Sequence, residues 1–428
     1  VENGGQDADY TQADPVGCDQ AFMLRGLRGA TLTVQGYNYK GRVLRITKAL
    51  STEFKTSRFN IPFIQTGDIS GAVNAICGQA WFIDTDGTAF GYIHRAWPNW
   101  DKYGPVFQDT IDLSWGAIEG GWRNTNGIEF RGCASVWGLQ TKVGDESATL
   151  PALITFKDSP TRRCWNIHLV TVFVIEAING VVLENVGLDL NEVERPGIRI
   201  QHLTSHSNAG VGLKTTNCAN VTVYHDSYSD NKALETSGAL VDSHIHADYF
   251  QNRVEAITIG PGGGNGLRLT GTVKDANTTG ASDKSAINVQ SLENIETDGL
   301  IVSGDDVVDL IRLPSNNNFR MRGGSLTAAG STVKFGGSHP RLADAVRGYV
   351  NIKRGSATIL TGQSAIVVTH GMDVSPNFVS TQPRNSDANG SRTRPSSIGA
   401  TTFAIQTISG TVAADSLVDW EAKAGNAP

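Results

Sequence analysis

The densest run of ionisable side chains lies between positions 224 and 249. Four of its carboxyl groups are candidates for acid–base chemistry: Asp226, Glu235, Asp242 and Asp248. Glycoside hydrolysis needs two carboxyl groups, one to protonate the departing oxygen and one to act as nucleophile or as base toward water. The two lie about 5–5.5 Å apart in retaining enzymes and about 6.5–9.5 Å apart in inverting ones. Each residue alone is more readily explained as a turn residue, because Asp caps backbone amides at tight corners.

The same region offers groups for a second reaction, β-elimination on a uronic acid. Elimination needs a base for the C5 proton, a cation beside the carboxylate and an acid for the leaving oxygen. Lys214, His246, Tyr249 and Arg268 are the candidates for these roles. His244 and His246 point to the same side of a predicted strand, as a metal pair would, but the spacing identifies no third ligand. The sequence therefore predicts neither a metal nor a cofactor, and His244 is assigned a structural role.

Aromatic side chains are concentrated earlier in the chain. Seven of the eight tryptophans lie between Trp81 and Trp165, at positions 81, 97, 100, 115, 122, 137 and 165. An indole combines a large apolar face with one hydrogen-bond donor, so residues 97–100 are a candidate saccharide platform. Packing under loops or between subunits explains most of the others. Glu129 in this region is a rival candidate for the catalytic site.

Composition excludes several classes of protein. Charged residues make up 18% of the 428 residues, and the net charge is −6, which disfavours a nucleic-acid-binding surface. No apolar run reaches the about 18 residues of a membrane span, so no membrane insertion is predicted. Five cysteines without a CxxC pair are interpreted as buried and reduced. Since the chain starts at Val1 without a leader, we expect that an upstream segment has been removed.

Two short phrases alternate through the middle of the chain and indicate how these residues are positioned. One is a polar residue, often Asn, followed by an apolar residue, as in Asn166-Ile167 and Asn220-Val221. The other is a small residue followed by apolar, any and apolar, as in Gly197-Ile198-Arg199-Ile200. The first phrase recurs every 17–26 residues, the length of one solenoid coil. A β-sandwich would give turn signals every 8–12 residues but not two interleaved phrases.

Stacked coils would pair each strand with its copies above and below, about 4.8 Å apart. Outward residues of the second phrase are then predicted to form one vertical file: Arg199, Lys214, Asp242, Arg268, Asn288 and Arg312. In this file Arg199, Lys214 and Arg268 are the predicted substrate-binding cations, because Arg and Lys pair with the carboxylates of an anionic glycan. Replacing Asp242 by Asn is expected to remove most activity. Glu129 is placed about five coils, or about 24 Å, below Asp242 and so at a separate site.

The two phrases and the coil length resemble the right-handed parallel β-helix of pectate-lyase-like proteins. Residues 29–36 and 39–46 resemble the entry of that family, where a short helix, here about residues 15–27, caps the first coil. The resemblance implies a cap over residues 1–30 and a β-helix over residues 31–354.

After residue 354 the repeat stops and the chain becomes rich in Ser, Thr and Gly. Residues 363–371, 398–405 and 418–422 are predicted strands of a small β-sandwich over residues 355–428. The phrases Ile-Val-Val-Thr-His-Gly and Gly-Ala-Thr-Thr-Phe resemble terminal domains of bacteriophage tail fibres and tailspikes, which commonly trimerise the β-helix. The predicted fold class is therefore all-β, a right-handed parallel β-helix with a C-terminal β-sandwich, assembled as a homotrimer.

A β-helix followed by such a domain resembles a bacteriophage tailspike. The resemblance implies a protein of the virion tail that joins the tail or baseplate through an N-terminal segment. It also implies binding and depolymerisation of a bacterial surface polysaccharide, such as capsule, exopolysaccharide or O-antigen, with hydrolysis slightly favoured over elimination. Two alternatives remain open: a non-catalytic receptor-binding tail fibre and a secreted polysaccharide lyase.

Overall fold

The computed structural model describes most of the chain in ranges separated by short gaps. The described residues are 20–25, 28–37, 42–47, 58–67, 79–145, 150–279, 284–304, 307–315, 317–328, 333–338, 340, 342–344, 346, 349, 352–372, 375–384, 393–408 and 410–424. Strands dominate these ranges, and no α-helix occurs in them. None of the described segments is a helix of the length and apolar character that crossing a membrane requires.

Twenty-six strands form one parallel sheet that winds through successive coils. The first are β1 (Gln20–Arg25), β2 (Arg28–Tyr37), β3 (Arg42–Thr47), β4 (Arg58–Gly67), β5 (Gln79–Tyr103), β6 (Val106–Asn126), β7 (Ile128–Arg131), β8 (Ala134–Asp145) and β9 (Ile154–Lys157). The middle ones are β10 (Trp165–Ile175), β11 (Asn179–Glu184), β12 (Ile198–His206), β13 (Val211–Ala219), β14 (Thr222–Tyr228), β15 (Lys232–Val241), β16 (His244–Phe250), β17 (Ile257–Ile259) and β18 (Leu267–Lys274). The last are β19 (Ser285–Val289), β20 (Asn294–Asp298), β21 (Ile301–Gly304), β22 (Asp309–Arg312), β23 (Asn318–Arg322), β24 (Ser325–Ala328), β25 (Val333–Gly336) and β26 (Leu342–Asp344).

Each coil has three faces. Face 1 consists of β7, β9, β11, β13, β15, β17, β19, β22 and β25, each paired with the next. Faces 2 and 3 are the first and second halves of β8, β10, β12, β14, β16 and β18. The division is clearest at β18, where residues 267–269 pair with β20 and residues 272–274 pair with β21. The predicted parallel β-helix is confirmed.

Apolar side chains alternate inward along all three faces because successive residues of a strand point to opposite sides. Strand β14 shows the pattern: Val223, His225 and Ser227 are buried, whereas Tyr224, Asp226 and Tyr228 are exposed. The coils thus bury a continuous core and present regular outward files one coil apart. These files determine which side chains can act together.

The helix predicted over residues 15–27 is wrong wherever the structure describes that segment. Residues 20–25 form β1, which pairs with β3 in parallel register, Phe22 with Leu44 and Leu24 with Ile46. The pairing supplies the backbone hydrogen bonds that a helix would otherwise provide. Residues 15–19, 26 and 27 lie outside the described residues.

Asparagines occupy corners of the coils, as the first phrase predicts. Asn166, Asn185 and Asn220 have φ of 55°, 57° and 55°, a left-handed conformation that Asn tolerates better than most residues. Their amides bond mostly to other groups on neighbouring coils rather than to one another. Asn166 Nδ2 donates to Ser135 Oγ at 3.1 Å, and Asn185 Nδ2 donates to Asp158 Oδ2 at 2.7 Å. The corners therefore fasten adjacent coils together.

Aromatic rings stack inside the lower coils. Phe130 lies between Phe107 and Phe156, with ring centroids 5.0 and 4.6 Å apart and nearly parallel planes. Trp115 packs on Phe130 at 5.4 Å, and its Nε1 donates to Thr141 Oγ1 at 3.2 Å. All four rings are buried. This stack fills the interior where tryptophans are concentrated in the sequence.

A polar network is buried in the coils formed by β12, β14 and β16. His225 Nδ1 lies 3.0 Å from Tyr249 Oη, and its Nε2 lies 2.7 Å from Ser205 Oγ. Ser205 Oγ in turn donates to Asp230 Oδ2. Because the Ser205 hydroxyl donates its hydrogen to Asp230, it accepts a hydrogen bond from His225 Nε2–H. His225 Nδ1 then carries no hydrogen and accepts from the Tyr249 hydroxyl, so the imidazole is neutral. Burial lowers the pKa of His225 to about 3.

The buried imidazole predicts loss of stability in mild acid. Because the folded-state pKa lies below the ordinary value of 6.5, the unfolded chain takes up the proton first, and stability falls as pH drops from about 6.5 toward 3. At pH 5 the loss is about 2 kcal/mol. Burial raises the pKa of Asp230, which acts in the opposite direction. Guanidinium unfolding at pH 8 and pH 5 should therefore show a smaller pH dependence in His225→Gln than in the parent protein. Equal dependence in both proteins would contradict the assignment.

The C-terminal strands are antiparallel and form two small sheets. These strands are β27 (Ile352–Ile359), β28 (Ala365–Thr369), β29 (Phe378–Pro383), β30 (Thr393–Ser396), β31 (Thr402–Thr407) and β32 (Ser416–Lys423). The sheet orders are β27-β32-β29 and β28-β31-β30. Phe403 of one sheet packs edge-on against Trp420 of the other at 5.2 Å. The predicted small β-sandwich is confirmed, whereas the domain boundaries and the trimer stay predictions.

Cys133, Cys164 and Cys218 are buried free thiols, as the cysteine spacing predicts. Burial raises the pKa of Cys164 and of Cys218 to about 12, so neither is a reactive thiolate near neutral pH. Cys18 and Cys77 lie outside the described residues.

Candidate functional site

Two of the four predicted carboxylates lie side by side on face 3. Asp226 of β14 and Asp248 of β16 are in register on neighbouring parallel strands, which are about 4.8 Å apart. Both side chains point outward, since their strand neighbours His225, Ser227, Ala247 and Tyr249 are buried. The exposed surface therefore carries a close carboxylate pair, the arrangement that glycoside hydrolysis requires.

Histidine and threonine side chains border the pair at the edge between faces 2 and 3. His246 Nε2 lies 3.3 Å from Asp248 Oδ2, and His246 Nδ1 lies 2.9 Å from Thr270 Oγ1. His244 Nε2 lies 3.1 Å from the same Thr270 hydroxyl. Thr270 thus holds both imidazoles, and His246 reaches the carboxylate of Asp248.

The two carboxyl groups have different electrostatic surroundings. Burial raises the pKa of Asp226, and the adjacent carboxylate of Asp248 raises it further, whereas His202 and His246 act in the opposite direction. A carboxyl group with a raised pKa is suited to donate a proton, and an ionised neighbour is suited to attack or to act as base.

Aromatic groups line the next outward file of face 3. Its residues His206, Tyr228, Phe250 and Lys274 are in register on β12, β14, β16 and β18. The His206 and Tyr228 rings stack with centroids 5.5 Å apart, and Lys274 Nζ lies 6.0 Å from the Phe250 centroid. Tyr228 remains 47% exposed. Apolar ring faces beside carboxylates suit a sugar, which has apolar faces and a polar rim.

The predicted single file of Arg199, Lys214, Asp242 and Arg268 is wrong, because the structure distributes these residues over two faces and a corner. Arg199 and Arg268 lie on face 2, in one file with Thr222 and His244. Lys214 lies on face 1, in register with Glu235. The second phrase occurs on both faces, since every inward-pointing strand of a coil has the same small-apolar-x-apolar pattern. Periodicity therefore could not separate them.

Face 2 carries Arg199 in a column of planar groups. Trp137, His168 and Arg199 are in register on successive coils, and the Trp137 and His168 rings stack at 4.2 Å. Arg268, higher in the file, pairs with Asp298. These cations face away from the carboxylate pair of face 3, so they do not complete its site.

Lys214 and Glu235 belong to an ion-pair network on face 1. Lys232 Nζ lies 2.8 Å from Glu235 Oε2 and 3.8 Å from Glu255 Oε2, and Lys214 Nζ lies 3.7 Å from Glu235 Oε1. Burial raises the pKa of Glu235, but Lys232 and Lys214 outweigh it and leave the pKa below its ordinary value. A carboxylate held ionised by two lysines is poorly suited to donate a proton.

Asp242 is a corner residue between faces 1 and 2. Its φ is 44°, and its backbone position in the coil is the one that Asn166 and Asn220 occupy lower down. His244, for which the sequence predicts a structural role, follows this corner and points outward in the file of Arg199. The conformation explains an Asp at this position without a catalytic role.

Tyr249 is fully buried and hydrogen-bonded to His225, so it cannot protonate a substrate bound outside the coils. Burial raises its pKa well above the ordinary value. The proposed elimination group of Lys214, His246, Tyr249 and Arg268 is thus divided among face 1, the face 2–3 edge, the core and face 2.

Glu129 lies on face 1, four coils below Glu235 of β15. Asp242 directly follows β15, so four coils separate Glu129 from Asp242, whereas the sequence predicts five. Its carboxylate is 2.7 Å from Arg131 Nη2 and 2.9 Å from Lys157 Nζ. Burial raises the pKa of Glu129, yet the two cations hold it below its ordinary value. Glu129 is therefore a satisfied ion-pair residue.

The tryptophans divide between core and surface. Trp115 is buried, whereas Trp97 and Trp137 are 43% and 56% exposed on faces 3 and 2. The side chains of Trp81, Trp100 and Trp122 lie outside what the structure describes. Among the described residues, no group of three or more His, Cys, Asp or Glu side chains is placed to hold a metal ion.

Sequence reasoning missed His206, Tyr228, Phe250 and Thr270 as neighbours of the carboxylates. A signal was present, because Tyr224, Asp226 and Tyr228 each precede by 22 residues a counterpart at His246, Asp248 and Phe250. When three alternate residues of one strand are all the same number of residues from their counterparts in the next, the two strands are expected to pair in register. The first phrase does not give this offset, because its copies at Asn220 and His244 are 24 residues apart.

Comparison with solved structures gives several matches, and two bacteriophage tailspikes are among them. No family model and no curated protein sequence matches this chain. The Gp54 tailspike of Acinetobacter baumannii bacteriophage AP22, solved in complex with A. baumannii capsular saccharide, is 11% identical with a TM-score of 0.37, over 86% of this chain and 69% of that one. The tailspike protein gp49 of Pseudomonas phage LKA1 is 12% identical with a TM-score of 0.34, over 85% and 68%. Similarity at this level identifies neither a shared site nor a shared activity.

Proposed function

We propose that this chain is a bacteriophage tailspike that binds and hydrolyses a bacterial surface polysaccharide on face 3. In this proposal Asp226 protonates the leaving glycosidic oxygen and Asp248 acts as nucleophile. The aromatic file of His206, Tyr228 and Phe250 stacks against the sugar rings. The protein is a homotrimer of the virion tail, joined to the tail or baseplate through an N-terminal segment.

The observation that most directly supports this proposal is the in-register pair of Asp226 and Asp248 on an exposed face. A parallel β-helix places equivalent residues of neighbouring coils about 4.8 Å apart, close to the separation of carboxylates in retaining glycosidases. Burial and the neighbouring Asp248 raise the pKa of Asp226, which suits Asp226 to the proton-donating role in this proposal.

Hydrolysis is favoured over elimination by the position of the candidate groups. Elimination would need a cation beside the substrate carboxylate, an acid and a base converging on one sugar. Lys214 and Arg268 lie on different faces, and Tyr249 is buried. Face 3 instead brings together two carboxyl groups and an imidazole.

The test is to incubate the protein with a panel of purified capsular and O-antigen polysaccharides. We expect falling viscosity, new reducing ends and no absorbance near ~235 nm, which would report an unsaturated sugar. NMR of the earliest products should show the anomeric configuration of the substrate, as the short carboxylate separation predicts. If the protein bound a polysaccharide without shortening it, the hydrolase proposal would be wrong and the alternative of a non-catalytic receptor-binding fibre would remain. Unsaturated products would replace hydrolysis by elimination, and initial inversion would contradict the assignment of Asp248 as nucleophile.

A further inference from the structure

A concave site lies low on face 3, remote from the carboxylate pair. It is a cavity of about 340 Å³ lined by Trp97, Gly120, Gly121, Lys142, Gly144 and Glu176, among others. A volume of a few hundred Å³ is typical of pockets for small organic ligands. Trp97 is 43% exposed and presents its indole to the cavity.

Glycines line part of this cavity, and close packing leaves no room for a side chain at two of them. A Cβ at Gly120 would lie 1.8 Å from the Pro98 carbonyl oxygen, and one at Gly144 would lie 2.8 Å from Ile175 Cγ2. Side chains are thus excluded at two positions on neighbouring coils. Gly120 pairs with the buried Val143, so it serves the packing beneath the surface. The depression is left by the outward glycines Gly121 and Gly144, which lie in register on neighbouring coils.

The cavity belongs to the same two outward files as the proposed catalytic site. Glu119, Lys142, Phe173, Thr204 and Asp226 follow one another in register on successive coils. Beside them run Gly121, Gly144, Ile175, His206 and Tyr228. Three coil steps separate Lys142 from Asp226, a distance of about 14 Å. A polysaccharide lying along face 3 would therefore pass from one site to the other.

We infer that the Trp97 cavity is a remote subsite that holds a pyranose residue of the same polysaccharide chain several sugars from the cleaved bond. This inference rests on the proposed function of face 3. Trp97 offers an apolar face for the ring, Lys142 a donor and Glu176 an acceptor for its hydroxyl groups. Anchoring one residue at a fixed distance from Asp226 and Asp248 sets which bond is cut and therefore the length of the products.

The test compares Trp97→Ala with the parent protein on a polysaccharide that the panel identifies as cleaved. We expect KM to rise about tenfold with kcat nearly unchanged, because a remote contact contributes equally to ground state and transition state. The product ladder should broaden from one dominant size to several. Trp137→Ala, which removes the other exposed indole from face 2, is the matched control and should match the parent. Trp97→Phe keeps an aromatic face and should restore much of the affinity and the dominant product.

Binding to the inactive Asp248→Asn protein gives a readout independent of catalysis. Calorimetric titration with the product oligosaccharides should show weaker binding in Asp248→Asn/Trp97→Ala than in Asp248→Asn alone. Cleavage with unchanged KM and product sizes in Trp97→Ala would overturn the subsite while leaving the proposed hydrolase intact. Trp97-dependent binding of a panel polysaccharide without any cleavage would overturn the hydrolase and retain the saccharide site. Neither binding nor cleavage by the parent protein would overturn both.

Discussion

Replacing either Asp226 or Asp248 by asparagine should abolish depolymerisation, with kcat falling by about 10²–10⁴-fold or more. Asparagine keeps the size of the side chain but can neither donate a proton as an acid nor attack as a carboxylate. Both side chains point outward, so the fold should be about as stable as that of the parent. Initial rates of reducing-end release, together with guanidinium unfolding curves, check both expectations.

The matched controls are Glu235→Gln and Asp242→Asn, since both residues were sequence candidates and both lie off face 3. Asp242→Asn should retain near-parental turnover because Asn already occupies the equivalent corner at Asn166 and Asn220. This reverses the expectation from the sequence alone, which placed the largest loss at Asp242. If Asp226→Asn and Asp248→Asn were fully active and Asp242→Asn were inactive, the proposed site would be wrong and the active site would lie at the corner between faces 1 and 2.

The activity of the parent should also depend on pH through the same pair. Since burial and Asp248 raise the pKa of Asp226, the acid stays protonated to a higher pH than an ordinary aspartic acid. This behaviour is the reason for assigning the proton-donating role to Asp226 rather than to Asp248. It is also why Asp226→Asn and Asp248→Asn are separate tests rather than repeats of one.

Replacing Phe130 by alanine should destabilise the β-helix by about 3–5 kcal/mol. Phe130 is buried between Phe107 and Phe156 and also contacts Trp115. Neighbouring coils are pinned by backbone pairing on both sides, so the walls cannot collapse into the space left by the ring. The loss therefore includes a cavity as well as buried apolar surface. Equilibrium or kinetic unfolding in guanidinium measures it.

Leu139→Ala is the control for this second prediction. Leu139 lies on β8 of the same part of the molecule but is 58% exposed, so its truncation should change stability by less than about 0.5 kcal/mol. A loss below about 1 kcal/mol for Phe130→Ala would mean that the lower coils repack freely. The ring stack would then not be a fixed element of the core.

The local sequence was sufficient for the class of fold. Alternating apolar residues, corner asparagines such as Asn166 and Asn220, and a coil-length recurrence predict stacked parallel strands, because these features depend only on strand period and backbone conformation. The C-terminal strands were likewise predicted from their own composition. The helix expected over residues 15–27 failed because its strand pairing with β3 depends on a partner about 20 residues away.

The candidate site was only partly determined by the sequence. Residue type placed Asp226 and Asp248 among four candidate carboxylates, because glycoside hydrolysis requires a pair of them, but it favoured Asp242 as the residue whose replacement costs most. Which carboxylates share a face was decided by the tertiary structure, because the coils differ in length and only the pairing of strands determines which residues lie one above another. Arg199 and Lys214 carry the same charge within the same phrase, yet the turn between β12 and β13 places them on different sides of the coil. The register between coils, which no local pattern specifies, therefore determines which side chains lie together on face 3.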